Sequence, residues 1–212
     1  MLIRKGTAAD SPFLARSILI AGRAHLGKGI WEEVLNTNET GCLQFLQQIT
    51  VTPVPHLFHY TCSLVAEVDN IPAGSLSAYN PRIAGYQALQ AALPDVYRRL
   101  GLSAQASQGA GQRGARILAC LPEGLADAWV IDSVATMPEF RGRGIAENLL
   151  RKVLDAGRNL GHSLSQVNMY IGNRPALNLY TKLGFVVKEE VRDKYFEERI
   201  GSPGMLSLVR PL

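Results

Sequence analysis

The segment Arg141-Gly142-Arg143-Gly144-Ile145-Ala146 carries the most legible chemistry in this chain of 212 residues. A strand pattern ends just before it and a helical pattern begins at once. The first-turn amides of a helix have no internal acceptors, and together with the helix dipole they form an anion site. Gly142 and Gly144 let a phosphate approach the backbone, while Arg141 and Arg143 add positive charge at the mouth. The expectation is a diphosphate lying across the helix start; a helix start whose glycines serve only the turn is the plainer alternative. A nucleotide-hydrolysing loop would end in Gly-Lys-Ser/Thr, yet Gly144 is followed by Ile145-Ala146-Glu147. A dinucleotide fingerprint needs a small residue three beyond Gly144 and an acid about 20 residues later. Glu147 occupies the first position, and Leu164-Ser165-Gln166 supplies no acid.

Other groupings are weaker. His56 and His59 lie close together, but Pro53 and Pro55 argue for a loop and no third ligand is near, so no metal site is expected. Cys42, Cys62 and Cys120 are odd in number and far apart, which favours buried thiols over a disulfide framework or a zinc cluster. Lys plus Arg total 22 against 18 Asp plus Glu, a formal net charge of +4. The basic residues are scattered except at Arg98-Arg99 and Arg113/Arg116, and aromatic residues do not interleave with them, so a nucleic-acid partner is disfavoured. A small polyanion stays compatible. No apolar run approaches the roughly 18 residues of a membrane span. Charge within Met1–Thr7 argues against a secretory leader, so no membrane association and a cytoplasmic location are expected.

The elements that must position these residues follow from pattern. Leu2-Ile3-Arg4 reads as a strand, and Thr7…Asp10 as a capping box with Asp replacing Glu, opening a helix. Leu43, Leu46 and Ile49 mark a helix over 39–49. Residues 60–68 and 71–79 read as a hairpin turning at Asp69-Asn70. A helix over 86–100 is interrupted or kinked by Pro94. Ser103–Gly114, rich in Ser, Gln, Ala and Gly, has no periodicity and reads as a mobile loop. Tyr86, Leu89, Leu93 and Tyr97 suit plain core better than a substrate pocket. Next come a strand over 129–136, a helix over 145–160, a strand over 163–171, a short helix from Asn173 to Gly184, and strands at 185–191 and 205–209. The expected architecture is a mixed α/β sheet in one domain spanning 1–212, with an insertion at about 81–128.

Val134-Ala135-Thr136-Met137-Pro138-Glu139-Phe140-Arg141-Gly142-Arg143-Gly144-Ile145-Ala146, followed by Leu149-Leu150, resembles the acetyl-CoA-binding segment of the GNAT superfamily of N-acetyltransferases. Arg141, Gly144 and Ala146 match its Gln/Arg-x-x-Gly-x-Gly/Ala pattern. Further on, Asn173…Ala176-Leu177…Tyr180…Gly184-Phe185 resembles the family's next motif. The resemblance covers 129–190 closely and 1–80 loosely; the 81–128 insertion departs from the compact pattern and leaves the substrate class open.

What the resemblance implies is acetyl transfer from acetyl-CoA to an amine by direct attack. The pantetheine arm would run along Val134, Ala135 and Thr136, between strands that splay apart. The cradle Arg141–Ala146 would take the diphosphate, and Asn173, Ala176 and Leu177 would contact the cofactor unless Asn173 simply caps its helix. Tyr180 matches the family's general acid for the departing thiolate, unless its ring only packs. Asp132 is the best-placed acceptor for the amine's proton; binding a cationic substrate or a structural role are its alternatives. Glu67, Glu123 and Asp127 are weaker candidates. The acceptor stays open between a small molecule and a protein or peptide, with the insertion slightly favouring a lid over a small molecule. A non-catalytic CoA-binding module of the same fold is the alternative function. A homodimer through the late strands is an expectation by analogy alone.

Overall fold

The computed structural model describes all 212 residues. Strand β1 (Leu2–Lys5) leads through the capping box into helix α1 (Ser11–Arg23), where Asp10 Oδ2 accepts from Thr7 N and Thr7 Oγ1, each at 2.8 Å. Helices α2 (Ile30–Leu35) and α3 (Glu39–Ile49) follow, then strands β2 (Ser63–Val68) and β3 (Ile71–Tyr79). Asp69 and Asn70 have φ of +53° and +63°, the pair of left-handed residues that a two-residue type I′ turn needs. Three helices fill the insertion: α4 (Pro81–Ala84), α5 (Tyr86–Arg99) and α6 (Ala104–Leu118). The chain then runs β4 (Trp129–Thr136), α7 (Ile145–Asn159), β5 (Leu164–Tyr170), α8 (Arg174–Lys182), β6 (Val186–Arg192), α9 (Lys194–Ile200) and β7 (Gly204–Pro211).

The seven strands form one sheet in the order β1-β2-β3-β4-β5-β7-β6. Every neighbouring pair is antiparallel except β4 with β5. Alternation along the strands sends successive residues to opposite layers. Ala78 and Ile131 pack with Leu149, Leu150 and Val153 of α7, whereas Tyr79 packs with Leu19, Phe45 and Leu46 of α1 and α3. No helix is long and apolar enough to cross a membrane.

Three sequence expectations need correction. Ser103–Gly114 is not a loop: it lies in α6, capped by the Ser103 side chain, which accepts from Ala106 N at 3.1 Å. Arg113 Nε donates to Glu33 O at 3.0 Å and Val34 O at 2.9 Å, and Arg116 pairs with Asp193 at 3.0 Å, so the helix is tied to its neighbours. Its cavity-lining residues include Gly111, Gly114 and Ala115, too small to write an apolar stripe. Pro94, likewise, sits inside α5 without ending it. The expected strand at 60–68 begins only at Ser63, after a 3-10 turn over Tyr60–Cys62. Helices α2, α4 and α9 carried no expectation.

Cys42 and Cys120 are buried free thiols and Cys62 is half-buried. His56 and His59 are structural. His56 is fully buried, its Nδ1 accepting from Phe58 N at 3.2 Å and its Nε2 lying 3.0 Å from Thr52 Oγ1. Burial pushes its pKa down from the ordinary 6.5 to about 4, and burial lowers His59 as well. Above pH 6.5 neither folded nor unfolded His56 is charged; between 6.5 and 4 only the unfolded chain takes the proton. Stability therefore falls as pH drops through that window, by about 3 kcal/mol from His56. Urea unfolding at pH 7.5 and 4.5 should show this loss, reduced in His56→Gln.

Candidate active site

The site begins with a bulge. Ser75 pairs with Ala135 and Ser77 with Asp132, so two steps along β3 span three along β4. Ser133 absorbs the extra residue at φ +51°. The bulge turns β4 off its parallel neighbour, and β4–β5 pairing stops at Ile131↔Val167. β5 continues along β7 as far as Tyr170↔Met205. The two central strands thus part in a V.

A cavity of about 670 Å³ occupies this opening. Asp132, Val134, Ala135 and Thr136 line one wall, Asn168 and Tyr170 the other, and Asn173, Ala176 and Tyr180 close it from α8. Arg141 and Ala146 also reach it. Thr136 Oγ1 is buried without a hydrogen-bond partner, a group that a bound ligand can satisfy.

The glycine turn has the form its sequence implies. Gly142 and Gly144 have φ of +77° and +73°, where a Cβ is strained. None of the six successive amides of Gly142–Glu147 donates to a backbone carbonyl; the next one, Asn148 N, closes the first helical bond to Gly144 O at 3.0 Å. Six N–H groups without main-chain acceptors at a helix start form an anion cradle. Arg141 and Arg143 are exposed beside it, Arg143 lying over the Phe140 ring at 5.3 Å. The Ile145 side chain points into the core, so only its amide belongs to the turn.

Asp132 sits half-buried where the V opens, its Oδ1 accepting from Ser133 Oγ at 2.9 Å. Burial pushes its pKa above the usual carboxylate range, with Ser133 opposing. Burial also raises the pKa of Tyr86 and of Tyr180, and the Asp132 charge adds to both. A second cavity of about 320 Å³ reaches Asp132 past Tyr86, Gln166 and Asn168. Tyr180 is buried with its ring edge-on to Phe185 at 5.8 Å between centroids, and it still borders the main cavity.

The weaker carboxylate candidates lie elsewhere. Glu67 pairs with Arg4 at 2.7 Å, Asp127 with Arg82 at 2.9 Å, and Glu123 is exposed. Asn173 caps α8, accepting from Ala176 N at 3.4 Å, while also lining the cavity. Leu177 packs against the sheet core; Leu179 and Pro175 face the cavity in its place. Tyr86, Leu89, Leu93 and Tyr97 line the cavity, and all but the exposed Tyr86 also pack with the cluster that contains α3. Sequence reasoning missed Trp31, Phe58 and the Ser133 bulge, although the three glycines of α6 were a sign that the helix faces a space. No cluster of three or more His, Cys, Asp or Glu side chains is present.

A sheet parted beside an amide cradle is the fold of an acetyltransferase. The chain belongs to the acetyltransferase (GNAT) family, whose family model matches residues 31–185. An uncharacterized N-acetyltransferase of Methanocaldococcus jannaschii is 32% identical over 62 residues, which are 29% of this chain and 27% of that protein. The match thus spans about a quarter of that relative's length. An N-acetyltransferase of Staphylococcus aureus Mu50 superposes with a TM-score of 0.70 at 21% identity, covering 99% of this chain and 100% of that one. A putative acetyltransferase of Salmonella typhimurium, solved with its cofactor acetyl-CoA, gives 0.56 at 16%, covering 100% and 94%. These structural likenesses are of fold.

Proposed function

We propose that the chain is an acetyl-CoA-dependent N-acetyltransferase, one domain over 1–212, moving an acetyl group to a primary amine by direct attack. The observation that carries this reading is the run of free amides at Gly142–Glu147 placed at the end of the β4–β5 opening. Acetyl-CoA, as substrate, supplies an activated thioester carbonyl. The amides and Arg141 hold its diphosphate, and the unpaired edge of β4 at Val134–Thr136 takes its arm as an added strand would. Asn173 and Ala176 border the same channel. Holding both reactants in register is the main catalytic contribution.

Asp132 accepts the proton of the incoming ammonium, so that the amine nitrogen attacks neutral. A C–N bond forms, the C–S bond breaks, Tyr180 gives its hydroxyl proton to the leaving sulfur, and the second proton that the nitrogen sheds in becoming an amide restores the Tyr180 hydroxyl by way of solvent. The raised pKa of Asp132 suits a base that works near neutrality, and the raised pKa of Tyr180 keeps its proton in place until needed.

Titration calorimetry with acetyl-CoA tests the reading. Binding by the wild type is expected, and Gly142→Val with Gly144→Val should weaken it by roughly 10- to 100-fold, because each site holds a left-handed conformation costing a side chain about 1 kcal/mol or more. No association of acetyl-CoA or CoA with the folded wild-type chain would sink the reading.

A further inference from the structure

Beyond Asp132 the cavity continues as a chamber bordered by α1, α2, α3, α5 and α6, with Trp31, Phe45, Phe58, Leu93, Tyr97 and Ile117 among the residues lining it. Asp132 is the sole carboxylate along the entire cavity, and apart from His25 the only basic side chain is Arg141 at the cradle end. Helix α6 presents Gly111 and Gly114 to this space. A Cβ added at Gly111 meets nothing within 4 Å, and one at Gly114 first meets Val34 Cγ1 at 3.8 Å. Glycine inside a helix is unfavourable; what these two leave is room.

That lining discriminates between acceptors. A buried charge needs a partner, and one carboxylate answers one ammonium. A polyamine or an aminosugar would leave further ammonium groups unpaired among aromatic rings. An amino acid would bring its own carboxylate to a chamber with no Lys or Arg. A protein chain end would carry further backbone amides and carbonyls into a lining that is mostly apolar. Resting on the acetyltransferase reading above, we infer that the acceptor is a primary monoamine with an apolar alkyl or aryl body. Its ammonium meets Asp132, and its body fills the chamber between α2, α3, α5 and α6.

Thiol release with acetyl-CoA is measured for n-alkylamines from ethyl to octyl, 2-phenylethylamine, agmatine, spermidine and a short peptide. kcat/KM should climb roughly fourfold per methylene until the chamber is full, the worth of a buried CH₂. It should be roughly 10²-fold higher for 2-phenylethylamine than for agmatine or spermidine. Gly114→Leu, which fills the chamber while favouring the helix, should cut octylamine and 2-phenylethylamine turnover roughly tenfold or more and spare ethylamine. Amine binding read without turnover, as a change in tryptophan emission with CoA present, should appear with 2-phenylethylamine, be missing with spermidine, and vanish in Trp31→Phe. A flat methylene series, a preference for spermidine, agmatine or the peptide, or a Gly114→Leu loss equal for all amines overturns this inference and leaves the acetyltransferase reading standing. Failure of acetyl-CoA itself to bind overturns both.

Discussion

Tyr180→Phe is expected to lower kcat by roughly 10- to 10³-fold while leaving acetyl-CoA affinity and thermal stability nearly unchanged, in line with the size of general-acid contributions. The asymmetry follows from how the residue is held. Its ring is 5% exposed and edge-on to Phe185, so the packing is made by carbon atoms that phenylalanine keeps. The hydroxyl alone is removed. Burial and the Asp132 charge hold that hydroxyl well above its ordinary pKa, so it carries its proton throughout the working pH range. Steady-state thiol release, run beside calorimetry with CoA, checks the expectation. Unchanged kcat would take Tyr180 out of the mechanism, and a matching fall in stability would make it a packing residue. A wild type that binds acetyl-CoA but acetylates no amine would point to the non-catalytic module.

The parts of the fold that could be read from sequence are those whose apolar residues repeat against one partner. Strands β3 and β4 and helix α3 begin and end where their patterns place them, and α7 buries Ile145, Leu149, Leu150, Val153, Leu154 and Gly157, whereas Leu160, expected at the end of that row, caps the helix and is exposed. The glycine turn was legible for a different reason: left-handed residues at 142 and 144 demand glycine, so geometry writes itself into residue type. Ser133 shows the converse. It takes φ +51° with an ordinary side chain, and nothing in the local sequence marks the bulge that opens the sheet. Helix α6 was missed because it borders a space. A helix that faces core needs bulky residues, whereas one that faces a chamber can use Gly111, Gly114 and Ala115, which read as a linker. The same ambiguity hid the acceptor wall: Leu89 and Leu93 pack like core and line the cavity at once. In α8, a helix of 9 residues with Pro in its first turn, spacing alone leaves Leu177 and Leu179 hard to tell apart.

Asp132→Asn should lower kcat/KM by roughly 10²- to 10⁴-fold at pH 7, and the deficit should shrink steadily as pH rises towards 9.5. An aliphatic ammonium with a pKa near 10.4 is neutral in only about 1 molecule in 2,500 at pH 7. In the proposed mechanism the wild type escapes that limit by passing the proton to Asp132. Asparagine has the same shape and can still accept from Ser133 Oγ, as the carboxylate does at 2.9 Å, but it cannot hold the proton. Near pH 9.4 about 1 amine in 10 is already neutral, so the base matters far less. In the wild type, the raised pKa of Asp132 places the acidic limb of the profile above the ordinary carboxylate range, with activity rising as the group ionises. A capping or packing role for Asp132 would give a deficit independent of pH. A wild-type to variant ratio that stays flat from pH 7 to 9.5 would therefore strip Asp132 of the base role, whereas convergence in kcat at saturating amine, where binding of the ammonium no longer limits the rate, would support it.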